Sequence, residues 1–383
     1  MKIVQLTTDS RDHYRTYSDP TPAFGAAPAA LLQGFALLPE VEVHVISCVH
    51  HRVVSPEKIA PNIFYHSLVV PRLGWMRTLY LGCHRAVRKK LREINPVIVH
   101  GQGTELDCGI VAARSGFPNV LTIHGNMKAI AQLYQSRPGS FQWLAAKLEV
   151  PALKKTGGVF CNSAYTENLV APRAQKIWRV PNALRAGFFA PSPPKKKNTV
   201  PVILNIGVAD PRKQQRKILE VARRLHARGI KVEFQFAGVI YDTDYGRSFR
   251  RELAEAEAAG CARHLGLLST PQVIAAMDAA DALVHFPTEE AFGLVSAEAL
   301  ARNLKFFGAA VGGGVEIADA VEGAELFPAG DYFGLENSLA RWLAAGSPSP
   351  QSAADKMRAR YHPEVIARRH VEIYREVLKE KTR

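Results

Sequence analysis

Cysteine is scarce in this sequence, with five residues in 383, at Cys48, Cys83, Cys108, Cys161 and Cys261. They are odd in number, scattered and never in C-x-x-C spacing, so neither a disulfide framework nor a zinc site is indicated, and a reducing compartment fits. No apolar run approaches the roughly 18 to 20 residues needed to cross a bilayer. The opening Met1-Lys2-Ile3-Val4-Gln5-Leu6 reads as a strand rather than a secretion signal, which predicts a cytoplasmic protein. No Asp-x-Asp stands in a turn suited to a metal, and no nucleic-acid motif accompanies the basic charge. What the chain does have is 47% hydrophobic and 22% charged residues, the composition of an ordinary globular protein long enough for two domains.

The net charge of +14 is unevenly spread: residues 1–200 hold 25 Lys and Arg against 11 Asp and Glu, and residues 201–383 hold 24 of each. Two readings stand, an ordinary solubilising surface or a field that attracts an anionic partner such as a membrane surface or an acidic glycan. Part of the charge lies in Arg72–Ile94, where Trp75, Met76, Leu79 and Tyr80 alternate with Arg77, Arg85, Arg88, Lys89 and Lys90. That stretch reads as one basic amphipathic helix, with its apolar side either on the sheet or on an anionic membrane.

Strand-like and helix-like segments alternate along the first half, at residues 2–8, 28–38, 41–48 and 63–70, which argues for parallel α/β architecture. A long polar loop from Asp9 to Phe24 ends at Gly25, where a ligand of an open α/β sheet is to be sought. Two further buried strands each end in His-Gly, at His100-Gly101 and His124-Gly125, and a histidine at a strand's carboxyl end faces a site. Ser192-Pro193-Pro194-Lys195-Lys196-Lys197-Asn198 reads as an exposed linker. After it the pattern restarts with the strand Val202–Gly207, a turn and helix from Asp210 to Arg228 carrying Arg212 and Lys213, and a strand closing on Gly238.

The most informative stretch is His285 to Glu316. An apolar strand stops at Pro287, and a helical pattern opens near Ala291 to Gly293, with Glu290 just before the helix and Glu298 inside it. First-turn N–H groups, about Phe292, Gly293, Leu294 and Val295, lack intrahelical partners and suit a phosphate. The plain alternative is that Glu290 charges the helix start and Glu298 is solvated.

Glu290 to Ala301, together with Gly312, Gly313 and Glu316, resembles the nucleotide-sugar motif of the family-four retaining glycosyltransferases, and Val180-Pro181-Asn182 is similar to that family's first-domain ending. The resemblance implies a GT-B fold, two Rossmann-like domains facing a central cleft, with residues 1–191 on the acceptor side and 192–362 on the donor side. Residues 363–383 are expected to form a helix crossing back to the first domain. It implies transfer from a nucleoside diphosphate sugar to an acceptor hydroxyl, with a glycan or lipid-linked envelope acceptor and no metal or other cofactor. Glu290 would hold the transferred sugar, Glu298 the ribose, and Lys213 with Arg212 the departing diphosphate. His124 would approach the donor sugar and His100 the acceptor, while Gly25, Gly207 and Gly238 would bring backbone close to the donor. The sequence departs from the family at Val208, where arginine is usual, and at Asn303 and Ala183, where glycine is usual. Two rivals stay open: a nucleotide-sugar epimerase, which would share the fold, and a non-catalytic nucleotide-sugar binder, whose degenerate site Val208 and Asn303 would mark.

Overall fold

The computed structural model describes residues 1–194 and 198–381, so Lys195–Lys197 of the expected linker lie outside the described residues. The chain divides into two compact units, Met1–Arg185 with Tyr361–Arg383, and Ala186–Arg360.

The first unit is built on β1 (Lys2–Leu6), β2 (Glu42–Val49), β3 (Lys58–Ala60), β4 (Ile63–Val69), β5 (Ile98–Gln102), β6 (Asn119–Ile123), β7 (Val159–Cys161) and β8 (Ile177–Arg179). Their order is β3-β4-β2-β1-β5-β6-β7-β8, parallel throughout except for the β3–β4 hairpin. Because side chains alternate across a strand, Val4, Leu6 and Val99 enter one core with Val87 and Leu91, whereas Ile3, Ile98 and Val120 enter another with Phe35 and Tyr374. Tyr374 belongs to the final helix, Pro363–Lys381, which therefore forms part of this unit. Gly34 permits its close approach to the helix Ala26–Ala36, since a Cβ there would lie 2.1 Å from the Pro363 carbonyl oxygen.

The stretch expected as one helix from Arg72 to Ile94 is broken. Two single turns, Arg72–Gly74 and Met76–Thr78, precede a helix that begins only at Leu81, after left-handed Leu79 and Tyr80. Gly74 and Gly82 cause the fold-back, as a Cβ on Gly74 would come within 2.9 Å of the Gly82 Cα. The apolar side of Leu81–Ile94 packs on the sheet through Cys83, Val87, Leu91 and Ile94. Trp75 stacks on His50 at 4.1 Å.

The second unit holds β9 (Val202–Ile206), β10 (Glu233–Ala237), β11 (Ala262–Gly266), β12 (Ala282–His285), β13 (Lys305–Ala309) and β14 (Ala324–Phe327), all parallel, in the order β11-β10-β9-β12-β13-β14. The chain leaves β9 towards β10 and β11 and returns on its other side at β12, so the strand order reverses between β9 and β12. In an open α/β sheet such a reversal leaves a crevice at the carboxyl ends of the two strands.

Candidate active site

The turns after β9 and β12 meet at that crevice. After β9, Asp210 accepts from the Arg212 N–H at 2.8 Å and starts the short turn Pro211–Lys213. Buried Gln215 steadies this loop by donating to the Val208 carbonyl at 2.8 Å. The two turns are then stitched together, with Thr288 N–H donating to the Arg212 carbonyl at 2.9 Å. The helix expected from Asp210 onward starts at Gln215, because left-handed Gln214 separates it from that turn.

This stitching brings Lys213 and Glu290 together. Lys213 Nζ donates to Glu290 Oε2 at 2.5 Å, His285 Nε2 lies 3.0 Å from the same oxygen, and Arg212 donates to Glu289 at 3.1 Å. Burial alone would raise the Glu290 carboxyl, but the His285 hydrogen bond and the Lys213 charge outweigh it and hold the group well below the usual carboxylate range. His285 is lowered, mainly by burial and then by the Lys213 charge, so it stands neutral and donates from Nε2 to the carboxylate. Sequence reasoning passed over His285, although it closes β12 just as His124 follows β6, and the same strand-end signal applies to it. Val208, 43% exposed, brings no charge to the turn.

The helix after β12 is Leu294–Ala301, with Gly293 as its N-cap in the left-handed region at φ 98°. Leu294 and Val295 thus occupy the first turn, whereas Phe292 and Gly293 precede it, which corrects the expected start. The reason lies in Gly312 and Gly313. A Cβ on Gly312 would stand 1.7 Å from the Glu290 carbonyl oxygen, one on Gly313 would stand 2.7 Å from the Ala291 oxygen, and Gly313 N–H donates to the Glu290 carbonyl. The Glu290–Phe292 backbone therefore lies directly on the glycine pair, and helical dihedrals resume only beyond it. Glu298 is 6% exposed, so it is not a solvated helix residue. Gly207 and Gly238 meet at the ends of β9 and β10, where a Cβ on Gly238 would stand 2.0 Å from the Gly207 oxygen. The sequence's single Asp-x-Asp, Asp242 and Asp244, is exposed and paired with Arg247.

In the first unit the strand order reverses between β1 and β5. His124 stands just past β6, with Nε2 3.0 Å from Gln102 Oε1, and burial lowers its imidazole to about 4, so the ring is neutral at pH 7. Gln102 donates to Gln5 at 2.8 Å, Gln5 to the Tyr374 hydroxyl at 2.9 Å, and that hydroxyl lies 2.6 Å from His100 Nδ1. Read as a single run of donors, the chain puts the His124 proton on Nε2 and leaves Nδ1 as an acceptor. His100 itself does not line an acceptor site. The strand continues two residues past it, its ring is fully buried beneath the final helix, and Nε2 is 2.7 Å from Thr122 Oγ1. Gly25 caps the helix Ala26–Ala36 with ordinary negative φ, and a Cβ there would meet nothing closer than Pro28 Cδ at 3.7 Å.

The polar loop after β1 conceals a network that the sequence did not signal. Arg11 is fully buried, donating to both Asp9 oxygens and to the Asp19 and Val54 carbonyls, while Tyr65 donates to Asp9 at 2.6 Å.

Two parallel α/β units, with a basic turn, a carboxylate and a helix start at the second unit's strand reversal, define a GT-B nucleotide-sugar architecture. Residues 33–186 match the model described as Glycosyltransferase Family 4, and residues 189–360 match that of glycosyl transferases group 1. The chain belongs to the family-four-like glycosyltransferases of the GT-B fold. No curated protein matches the sequence. Sucrose-phosphate synthase from Thermosynechococcus elongatus is similar in structure, with a TM-score of 0.77 at 18% identity, covering 99% of this chain and 100% of that one. Anabaena HepE in complex with UDP and glucose matches at 0.73 and 15% identity, over 98% of this chain and 100% of that one. The lipopolysaccharide outer core galactosyltransferase WaaB, in its apo form, matches at 0.65 and 14% identity, over 98% and 100%.

Proposed function

We propose that this glycosyltransferase moves a sugar from a nucleoside diphosphate sugar to a hydroxyl of a bacterial envelope glycan or lipid-linked acceptor, with retention and without a metal. The observation that carries the reading is the Lys213–Glu290–His285 group at the β9–β12 reversal, beside the start of Leu294–Ala301. The N–H groups of that first turn and Lys213 receive the diphosphate. As the bond from the anomeric carbon to the diphosphate oxygen breaks, Lys213 meets the charge developing on the leaving group. The acceptor oxygen bonds to the anomeric carbon on the same face, and its proton passes to the departing diphosphate. Glu290, released from Lys213 but still held by His285, accepts hydrogen bonds from the sugar hydroxyls. Glu298 accepts from the ribose. His124 assists on the donor sugar. The solved relative with UDP and glucose bound supports a donor of this class.

A panel of nucleotide sugars, read by released nucleoside diphosphate and by NMR of the product anomer, tests the reading. An inverted product overturns retention. Isomerised donor without acceptor identifies the epimerase, and tight binding without turnover identifies the non-catalytic binder.

Peripheral attachment to an anionic membrane forms part of the proposal. The first unit holds 28 Lys and Arg against 15 Asp and Glu, and the second 21 against 20. Among the described residues no helix is long and apolar enough to cross a membrane. The exposed side of Leu81–Ile94 shows Arg85, Arg88 and Lys89, and the turns preceding that helix expose Leu79 and Leu73, the latter to 74%, whereas Lys90 is paired with Glu93. Replacing Arg85, Arg88 and Lys89 by glutamate should abolish pelleting with anionic liposomes at low salt. Equal pelleting of the unaltered protein with neutral liposomes would favour a soluble acceptor.

A further inference from the structure

The first unit carries a second cluster of reactive side chains that sugar transfer does not use. Cys48 lies near the carboxyl end of β2, Cys83 in the first turn of Leu81–Ile94, and Asp107 opens the helix Asp107–Ala113. All three are buried, and their ligand-capable atoms lie within 4.8 Å of one another. The neighbouring Cys108 Sγ is 3.9 Å from Asp107 Oδ1. The hydrogen-bonding groups facing the Asp107 side chain are the thiols of Cys48 and Cys108 and its own backbone N–H, His50 acts on it only through charge, and among the described residues no ion pair reaches it. A carboxyl removed from water with one backbone N–H and otherwise only weak thiol donors is costly to keep charged.

A separate observation points to something held there. Tyr80 is buried, its hydroxyl has no hydrogen-bond partner among the described residues, and it lies within electrostatic reach of Asp107, Cys83 and Cys108. Tyr80 is also one of the two consecutive left-handed residues at the entry to Leu81–Ile94. A buried hydroxyl without a partner among the described residues, within electrostatic reach of two thiols and a carboxyl, is the surrounding of a missing polar occupant.

We propose that Cys48, Cys83 and Asp107 bind one zinc-class divalent cation, with a water in the fourth position held by the Tyr80 hydroxyl. Thiol ligands select a soft-accepting ion such as zinc over magnesium or calcium. A tetrahedral zinc site needs ligand atoms roughly 3.3–3.8 Å apart, so the cluster closes on the ion by shifts of about 1 Å. Binding releases the two thiol protons to solvent, and the ion's two positive charges offset two of the three negative charges of the carboxylate and both thiolates, leaving the site with a net charge of about −1. The cation is structural. It ties β2, the start of Leu81–Ile94 and the start of Asp107–Ala113 together around the Leu79–Tyr80 turn, and so steadies the entry to the basic helix.

The test uses reduced, full-length protein free of any histidine tag, titrated with zinc against a chromophoric chelator and, separately, with cobalt. One equivalent of zinc should be taken up, with a rise in Tm, and cobalt should give a thiolate charge-transfer band and the intense visible bands of tetrahedral coordination. Cys48→Ser and Cys83→Ser should each reduce the cobalt thiolate band by about half and weaken uptake, the double variant should lose the band, and Asp107→Asn should weaken uptake at least tenfold, with circular dichroism confirming folding. No stoichiometric uptake by the unaltered protein overturns the proposal, as does undiminished uptake by the Cys48→Ser/Cys83→Ser double variant. If the variants do not fold, the cobalt spectrum of the unaltered protein decides, and absence of a thiolate band refutes the site.

Discussion

Replacing Glu290 by glutamine should strengthen binding of the free nucleoside diphosphate while lowering turnover. In the structure Lys213 spends its charge on Glu290 at 2.5 Å, with the two side chains 20% and 17% exposed. A diphosphate must draw Lys213 away from that carboxylate. Two unit charges 4 Å apart interact by about 4 kcal/mol at an effective dielectric of about 20, and partial exposure together with the new diphosphate contact reduces what is lost on transfer to about 1–2 kcal/mol. Neutralising Glu290 should therefore tighten the diphosphate roughly five- to thirtyfold. Lys213→Met should weaken it by about 1.5–3 kcal/mol, the range for a hydrogen bond to a charged group. Isothermal titration of UDP, GDP and ADP, with donor turnover measured alongside, reads both effects. If Glu290→Gln folds normally and binds the preferred diphosphate no better than the unaltered protein, Lys213 is not the group that receives it.

Three further outcomes follow from the geometry. Glu298→Gln should lower nucleoside diphosphate affinity by about 1.5–3 kcal/mol if this carboxylate receives the ribose hydroxyls, and unchanged affinity in the same titration would remove that role. Gly312→Ala should lower Tm markedly, because its Cβ would stand 1.7 Å from the Glu290 oxygen at a residue with φ 51°; an unchanged Tm would contradict the close packing of that loop. Buried His370 is lowered to about 4 by burial, so it is neutral in the native state and takes up a proton on unfolding below its ordinary value near 6.5. Its contribution is therefore intact above pH 6.5 and falls as the pH drops towards 4, by about 3 kcal/mol in all. Urea unfolding at several pH values should show this slope reduced in His370→Gln, and an identical slope would place the proton uptake elsewhere.

Much of the donor unit could be read from local sequence, because its evidence is local. An apolar run buried on both faces, a proline stop and two glutamates around a helix start occupy one continuous stretch, and strand periodicity placed β9, β10 and β12 to within a residue or two. The same reasoning failed where an alternative local pattern was equally satisfied. The Arg72–Ile94 stretch has helical composition throughout, yet the contact between Gly74 and Gly82 folds it back before Leu81. His100 has the strand-end signature of a site residue, but β5 runs on to Gln102 and the final helix covers the ring.

Hydrophobic periodicity and the Glu290–Glu316 letters thus determined by themselves that the chain is parallel α/β and that its second half resembles a nucleotide-sugar unit, since both properties repeat within a few residues. Only the tertiary structure decided that Lys213, from the turn after β9, neutralises Glu290 after β12, that His285 holds that carboxylate, and that Cys48, Cys83 and Asp107 converge. Each of these depends on strands distant in sequence becoming neighbours in a sheet, and strand order leaves no trace in the local spacing of residues.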